Sequence, residues 1–225
     1  MKTLSGTLWG LGLAIACLAT GAPAAELELE GSRLLVSGML DGSVLKDFES
    51  QLASGQVRTV VFENALGGSA EVAKAYARAI QASGVNTEAK GQCQAACAFA
   101  FLAGKEHRFG RGFQIHALLI PVASRPQPGE LASRWRGEDA AHRTQAEFNP
   151  PAGESGPAAM PAPASGAPAV KDTWNPNQGV LFTSTPTLFG RVHNTFYCDG
   201  TQGRDLARCE LLPDADPYKL GVLSD

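Results

Sequence analysis

Residues 60–116 have the sequence VVFENALGGSAEVAKAYARAIQASGVNTEAKGQCQAACAFAFLAGKEHRFGRGFQIH, and this stretch decides the fold. It is preceded by Thr59, and the apolar run of residues 59–62 predicts a buried strand by its length and β-branched content. The chain then reaches Gly67 and Gly68, where the missing Cβ allows a positive φ or a close approach to a ligand. A glycine pair after a strand is typical of a turn. When a helix follows the pair, a ligand-binding loop is the other possibility.

A helix is predicted over residues 70–83, because polar side chains recur there at spacings of three and four while the opposite face is apolar. Ser69 suits the N-cap better than it suits a nucleophile. Gly84 is a natural C-terminal end.

A second strand over residues 86–89 leads to a turn of small residues, 91–97. A very apolar helix over 98–103 and a further strand and turn over 108–116 complete the stretch. Strands alternating with helices predict an α/β fold with parallel strands.

This order of elements resembles the Clp protease/crotonase superfamily, and in particular the Clp-like proteins of bacterial periplasms. In that family a strand, a Gly-Gly turn, a helix and a strand precede a small-residue turn that opens a buried helix. The resemblance covers about residues 59–118, roughly a quarter of the chain. It implies repeated ββα units.

The resemblance places an alanine where the family has its nucleophilic serine. The Clp turn is GQAASM, with serine fifth, and residues 91–96 here are GQCQAA. The periplasmic relatives usually have Cys-x-Ser-Ala-Cys, and residues 93–97 are CQAAC. Both comparisons align Ala95 with the nucleophile, and His116, after an isoleucine, with the general-base histidine.

Acyl transfer by this route needs a hydroxyl or thiol that a neighbouring base deprotonates, and the methyl group of Ala95 has no proton to give. By resemblance, the backbone N–H groups of Gly68 and Ala96 would form an oxyanion hole. Each such donor can contribute about 3–4 kcal/mol to the stabilisation of a transition state, but the pair alone can bind a carbonyl oxygen without forming an acyl-enzyme. His116 is therefore either a remnant base over the old cleft or a packed histidine bonded to backbone.

Residues 1–25 are predicted to be a secretory signal peptide, with Lys2, an apolar region over 8–18 and a small-x-small pattern at 22–24. A lipoprotein site at Cys17 is the competing interpretation, but the residues before it fit poorly. The predicted location is periplasmic or secreted, without a stable membrane span, since the apolar region is shorter than the roughly 20 residues a span needs.

Four cysteines remain after residue 25, and an even number in an exported chain favours disulfides. The predicted pairing is local, Cys93 with Cys97 and Cys198 with Cys209, among three possible connectivities. A zinc site or a redox pair is the alternative, although CxxxC is not the usual spacing. We predict no metal site and no cofactor.

The predicted domain organisation is a Clp/crotonase-like α/β core over 26–122, a low-complexity Pro/Ala/Gly-rich linker or surface insert over 123–171, and a C-terminal disulfide-containing segment over 172–225. In the core, residues 26–40 predict a hairpin or edge strands, and Ser43 is expected to cap a helix ending near residue 52.

After the core, residues 131–148 could form a helix, and a strand is predicted over 179–183. The aromatic side chains of the C-terminal segment are expected to pack on the core rather than to form a ligand platform. These are Phe182, Phe189, Phe196 and Tyr197. The other histidines, His107, His142 and His193, show no ligand spacing and are expected at the surface.

The formal net charge is −3 and no basic patch indicates nucleic acid as a partner. Three hypotheses follow: a non-catalytic binding or scaffold protein with an unknown peptide or protein partner, a serine-type peptidase with an unlocated nucleophile, or crotonase-like oxyanion-hole chemistry. The first is favoured because the serine is missing. Enzyme activity stays open, and a homo-oligomer is expected from the resemblance alone.

Overall fold

A computed structural model of the chain describes residues 24–122, 124–135, 178–202 and 205–224. Within these ranges the fold is mixed α/β and contains a sheet in the order β1-β2-β3-β4-β6-β7-β8-β9, with β5 also paired to β4. The strands are β1 Glu26–Glu30, β2 Arg33–Met39, β3 Thr59–Leu66, β4 Asn86–Gln94, β5 His107–Phe109, β6 His116–Pro121, β7 Gln178–Thr187, β8 Gly190–Asp199 and β9 Glu210–Leu211. The helices are α1 Leu45–Ala53, α2 Ala70–Ser83, α3 Ala96–Phe101 and α4 Pro128–Arg134, with a 3-10 turn at Leu206–Arg208.

The N-terminal half of the sheet follows the predicted pattern. β1 and β2 form an antiparallel hairpin, and β2, β3 and β4 then run parallel to one another. The run predicted as a buried strand is β3, where Val60, Val61 and Phe62 are fully buried. The parallel order arises because α1 and α2 each return the chain to the starting edge of the sheet.

Helix α2 has the predicted bounds and the predicted caps. The Ser69 hydroxyl accepts a hydrogen bond from the Val72 N–H at 3.3 Å, and Gly84 ends the helix with φ 64°. Its buried face includes Tyr76, whose ring lies 4.7 Å from that of Phe48 on α1. This contact joins the two helices on one side of the sheet.

Helix α1 begins later than predicted, and Ser43 does not cap it. Val44 is the N-cap residue, with no side-chain hydrogen bond. Ser43 is instead engaged by Asp41, whose Oδ1 accepts from the Ser43 N–H at 2.9 Å and from its hydroxyl at 2.6 Å. Ser43 therefore takes part in an Asx turn with Asp41 instead of capping the helix.

Strand β4 runs five residues beyond the predicted strand, and α3 begins at Ala96 rather than at residue 98. The extension is used for pairing, since Gln92, Cys93 and Gln94 lie beside β6. The small-residue turn is thereby reduced to a single residue, Ala95, between strand and helix.

The C-terminal half of the sheet is antiparallel, because β7 pairs with β6 and β8 with β7. Phe182 is buried as predicted, with its ring 5.4 Å from Trp135, which follows α4. The prediction for Phe189 is wrong: this side chain is 95% exposed, at the tip of the β7–β8 hairpin. Phe196 and Tyr197 are partly buried against the core.

Two strands precede α1 and α4, but only one precedes α2 and α3, so the described chain does not repeat a ββα unit throughout. The predicted helix over 131–148 is represented by α4, which ends at Arg134. Residues 1–23 of the predicted signal peptide (1–25) and residues 123 and 136–171 of the predicted insert (123–171) lie outside the described residues. None of the helices within the described ranges has the length and apolar character to cross a membrane.

Candidate functional site

The turn at Ala95 has the backbone of a strained strand-to-helix turn. Ala95 has φ 56° and ψ −114°, a conformation that costs a residue with a Cβ about 1–3 kcal/mol. Cys93 and Cys97, two residues before and after it, form a disulfide with a Cα–Cα distance of 5.3 Å. A sharp turn of this kind, between a strand and a buried helix, is where some hydrolases hold their nucleophile.

The side chain at this turn is a buried methyl group, since Ala95 is 1% exposed. The methyl group offers no proton to a base and no lone pair to a carbonyl carbon. The strained strand-to-helix turn is therefore present, but the residue in it carries no nucleophilic hydroxyl or thiol.

The predicted oxyanion donors lie next to each other. A Cβ on Gly68, whose φ is 98°, would come within 2.6 Å of the Ala96 Cβ and 2.5 Å of the Leu40 carbonyl oxygen, so only glycine fits there. The Ala96 N–H, however, donates to the Gly67 carbonyl oxygen at 3.2 Å. A substrate carbonyl would have to displace this bond to use both donors.

His116 is fully buried, and both of its ring nitrogens are bonded to backbone. Nδ1 accepts a hydrogen bond from the Gly91 N–H at 2.9 Å, which assigns the ring proton to Nε2. Nε2–H then donates to the Gly110 carbonyl oxygen at 2.8 Å. Burial and then the positive charge of Arg191 lower the pKa of His116, so the ring is neutral at pH 7.

A buried hydroxyl that the sequence interpretation missed stands opposite this histidine. Ser184 on β7 pairs with His116 on β6 and is fully buried. The Ser184 hydroxyl accepts from Arg191 Nε at 2.5 Å, whereas the His116 nitrogens bond to Gly91 and Gly110. The neighbourhood of serine and histidine thus lacks the hydrogen bond by which a base activates a nucleophile.

Arg191 was also missed, and it organises this end of the sheet. Its guanidinium donates to the carbonyl oxygens of Gly112, Gln114 and Ser184 at 2.9, 2.7 and 2.7 Å. Nothing in the local sequence, a Gly-Arg-Val at a hairpin, indicated contacts almost eighty residues away. These contacts can be predicted only once the pairing of β7 with β6 is known.

Two of the three histidines predicted at the surface, His107 and His193, are partly buried instead. His107 Nδ1–H donates to the Val222 carbonyl oxygen at 2.9 Å. The His193 ring stacks on Phe109 with a centroid distance of 6.1 Å, and the His116 ring stacks on the same phenylalanine at 5.7 Å. Burial is the largest cause that lowers the pKa of both His107 and His193. His142 lies outside the described residues.

Both predicted cysteine pairs are present. Besides Cys93 and Cys97, Cys198 and Cys209 form a disulfide with a Cα–Cα distance of 4.6 Å. All four sulfurs are thereby used and cannot ligate zinc. No group of three or more His, Cys, Asp or Glu side chains in the described ranges could hold a metal ion.

A scan against protein-family models matched none to this chain, and a search of the curated proteins found no match. Among solved structures the chain is similar to a protein assigned as an enoyl-CoA hydratase/isomerase from Mycobacterium abscessus, at 13% identity over 41% of this chain and 48% of that one, with a TM-score of 0.30. A protein assigned as an enoyl-CoA hydratase from Streptomyces coelicolor A3(2) gives 15% identity, coverages of 52% and 53%, and a TM-score of 0.29. A protein assigned as an enoyl-CoA hydratase/isomerase from Acinetobacter baumannii is 14% identical over 56% of this chain and 64% of that one, with a TM-score of 0.33.

The chain thus spans between 48% and 64% of the length of these three structures. Identity and coverage at this level do not extend the activity of those proteins to this chain.

Proposed function

We propose that this chain is an exported, non-catalytic binding or scaffold protein with a Clp/crotonase-like α/β fold. The observation that carries the proposal is the strained turn at Ala95, which has the backbone expected of a nucleophile position and a methyl side chain. Its partner class is an unknown peptide or protein, or further copies of the chain.

The state of His116 supports the same conclusion. A general base must hold a free ring nitrogen toward the proton it abstracts, within about 3 Å. Both nitrogens of His116 are used by Gly91 and Gly110, so the ring cross-links three segments of backbone. The remnant-base interpretation would require at least one of these two bonds to break in a fully buried site.

The two disulfides support export, because such bonds persist in oxidising compartments and are rare in the cytosol. They also argue against the crotonase alternative, since coenzyme A thioesters are cytosolic. The occupied Ala96 N–H weakens that alternative further.

The proposal is tested by assaying the chain with a fluorogenic ester, labelled casein and an acyl-CoA thioester. We expect the wild type to stay at the background rate with all three. Ser184→Ala is the matched control, since Ser184 is the hydroxyl that the sheet pairs with His116. Hydrolysis by the wild type that is lost in a folded Ser184→Ala protein would overturn the proposal in favour of a peptidase. Turnover of the thioester would overturn it in favour of crotonase-like chemistry.

A further inference from the structure

The β7–β8 hairpin ends in two large apolar side chains. Thr187 pairs with Gly190, so Leu188 and Phe189 alone form the connection, and they are 88% and 95% exposed. Such turns normally contain Gly, Asn or Asp. The apolar side chains at this turn therefore contribute little to packing within the described fold.

A second exposed apolar segment lies beside the first. In the loop before β6, Phe113 is 96% and Ile115 is 61% exposed. His116 pairs with Ser184, so the loop residues just before it run alongside the outer part of the hairpin. Arg191 fixes the arrangement through its hydrogen bonds to the carbonyl oxygens of Gly112 and Gln114. We call the four side chains of Phe113, Ile115, Leu188 and Phe189 the apolar tip.

The charge of this region is opposite to that of the chain. Residues 110–115 and 185–192 contain Arg111 and Arg191 and no Asp or Glu, whereas the whole chain has 22 acidic against 19 basic residues. Arg111 is exposed, and Arg191 is bonded to carbonyl and hydroxyl oxygens. A cluster of protruding apolar side chains with arginines at its base suits a surface that is apolar inside and negative outside.

We propose that the apolar tip docks the protein on an anionic lipid bilayer by inserting Phe113, Leu188 and Phe189 at the headgroup boundary. The projection of the side chains favours a membrane over a second copy of the chain, because a protein interface is built from closely complementary surfaces, whereas a bilayer yields around each side chain. The outer part of the hairpin, from Thr185 to Val192, extends past the end of β6, since within the described sheet these residues pair only with each other. This inference does not depend on whether the Ala95 site is catalytic.

The test is flotation of the purified protein with vesicles of phosphatidylcholine alone and with vesicles in which a third of the lipid is phosphatidylglycerol. The protein is purified after export in a bacterial host, and its intact mass records whether residues 1–25 have been removed. We expect binding to the anionic vesicles that weakens in high salt and falls about tenfold or more in Phe113→Ser/Phe189→Ser. Arg111→Glu should remove the preference for anionic lipid.

Leu211→Ser is the matched control, because Leu211 is an exposed apolar residue on β9, which pairs with the opposite end of β8. It should bind like the wild type. A Phe189→Trp protein should add a fluorescence component that shifts to the blue when anionic vesicles are added. Equal binding by the wild type and the double serine variant would overturn the proposal. An absence of vesicle binding by the wild type would also overturn it. If sedimentation then showed a wild-type dimer that the tip variants lose, the apolar tip would be an interface between copies of the chain instead.

Discussion

The backbone amide of Gly91 donates a hydrogen bond to Nδ1 of His116 at 2.9 Å. Gly91 lies in β4, between the residues of that strand that pair with β5 and those that pair with β6, and His116 is the first residue of β6. The imidazole also donates a hydrogen bond to the Gly110 carbonyl oxygen. One side chain therefore joins three segments, namely β4, β6 and the loop that follows β5. A residue that resembles a catalytic base by sequence is used here to fix the approach of three segments.

Replacing His116 by Ala should destabilise the fold strongly. Two buried backbone groups, the Gly91 N–H and the Gly110 carbonyl, would lose their partners, and each costs about 1–3 kcal/mol when left unsatisfied. The urea midpoint should fall correspondingly at unchanged slope. His116→Asn keeps an acceptor near Nδ1 and His116→Gln a donor near Nε2, so both should lose less than the alanine variant. A midpoint for His116→Ala equal to that of the wild type would contradict a structural role.

Stability should decrease on acidification below about pH 6.5, the ordinary pKa of histidine. Burial lowers the pKa of His107, His116 and His193 in the folded state. As the pH falls below the unfolded-state pKa, the unfolded chain takes up protons first, so the free energy of unfolding drops until the folded-state pKa values are reached. Urea titrations at a series of pH values measure this slope. We expect a smaller slope for His116→Asn, and an identical slope in both proteins would exclude His116 as a contributor.

Ala95→Gly should stabilise the protein by about 1 kcal/mol, because glycine adopts the positive φ of this turn without the steric cost of a Cβ. Ala98→Gly is the control, since Ala98 is also a buried alanine but lies inside α3. There the same substitution should destabilise by about 1 kcal/mol or more. Thermal unfolding of the two variants gives the comparison. Destabilisation of similar size in both would mean that the turn at Ala95 stores no strain.

Tyr76→Phe should leave the stability unchanged or raise it slightly. The Tyr76 ring is fully buried, burial raises the pKa of its hydroxyl to about 12, and no described residue accepts from or donates to that hydroxyl. Removing a buried hydroxyl without a partner removes a desolvation cost of about 1–3 kcal/mol. Chemical denaturation of the two proteins measures the difference. A loss of more than about 1 kcal/mol would indicate an ordered water at the hydroxyl.

Features that depend on contacts between residues close in sequence could be predicted from the sequence. Ser69 and Gly84 delimit α2 because an N-cap hydroxyl and a left-handed glycine act within one turn of the helix. The even number of cysteines favours disulfides, and the local pairing predicted among three possible connectivities is the one in the structure. Ser43 shows the limit of this reasoning, since Asp41 two residues earlier took both of its donors.

Contacts between distant segments could not be predicted in the same way. The sequence left His116 open between two roles, and only the approach of Gly91 and Gly110 shows how its nitrogens are used. Arg191 gave no signal because its partners, Gly112 and Gln114, are brought to it by the antiparallel pairing of β6 and β7. The residue type of Phe189 favours burial, but its position in a two-residue turn keeps the side chain exposed.

The most direct test of the central claim is incubation of the wild-type chain with a fluorophosphonate, followed by intact-mass measurement. An activated serine attacks the phosphorus, displaces fluoride and retains the phosphonyl group, so the mass increases by one adduct. Because Ala95 carries a methyl group and neither nitrogen of His116 is free, we predict no mass increase, with a serine hydrolase labelled in parallel as the positive control. A single stoichiometric adduct on the folded wild-type protein, absent after unfolding before treatment, would contradict the account.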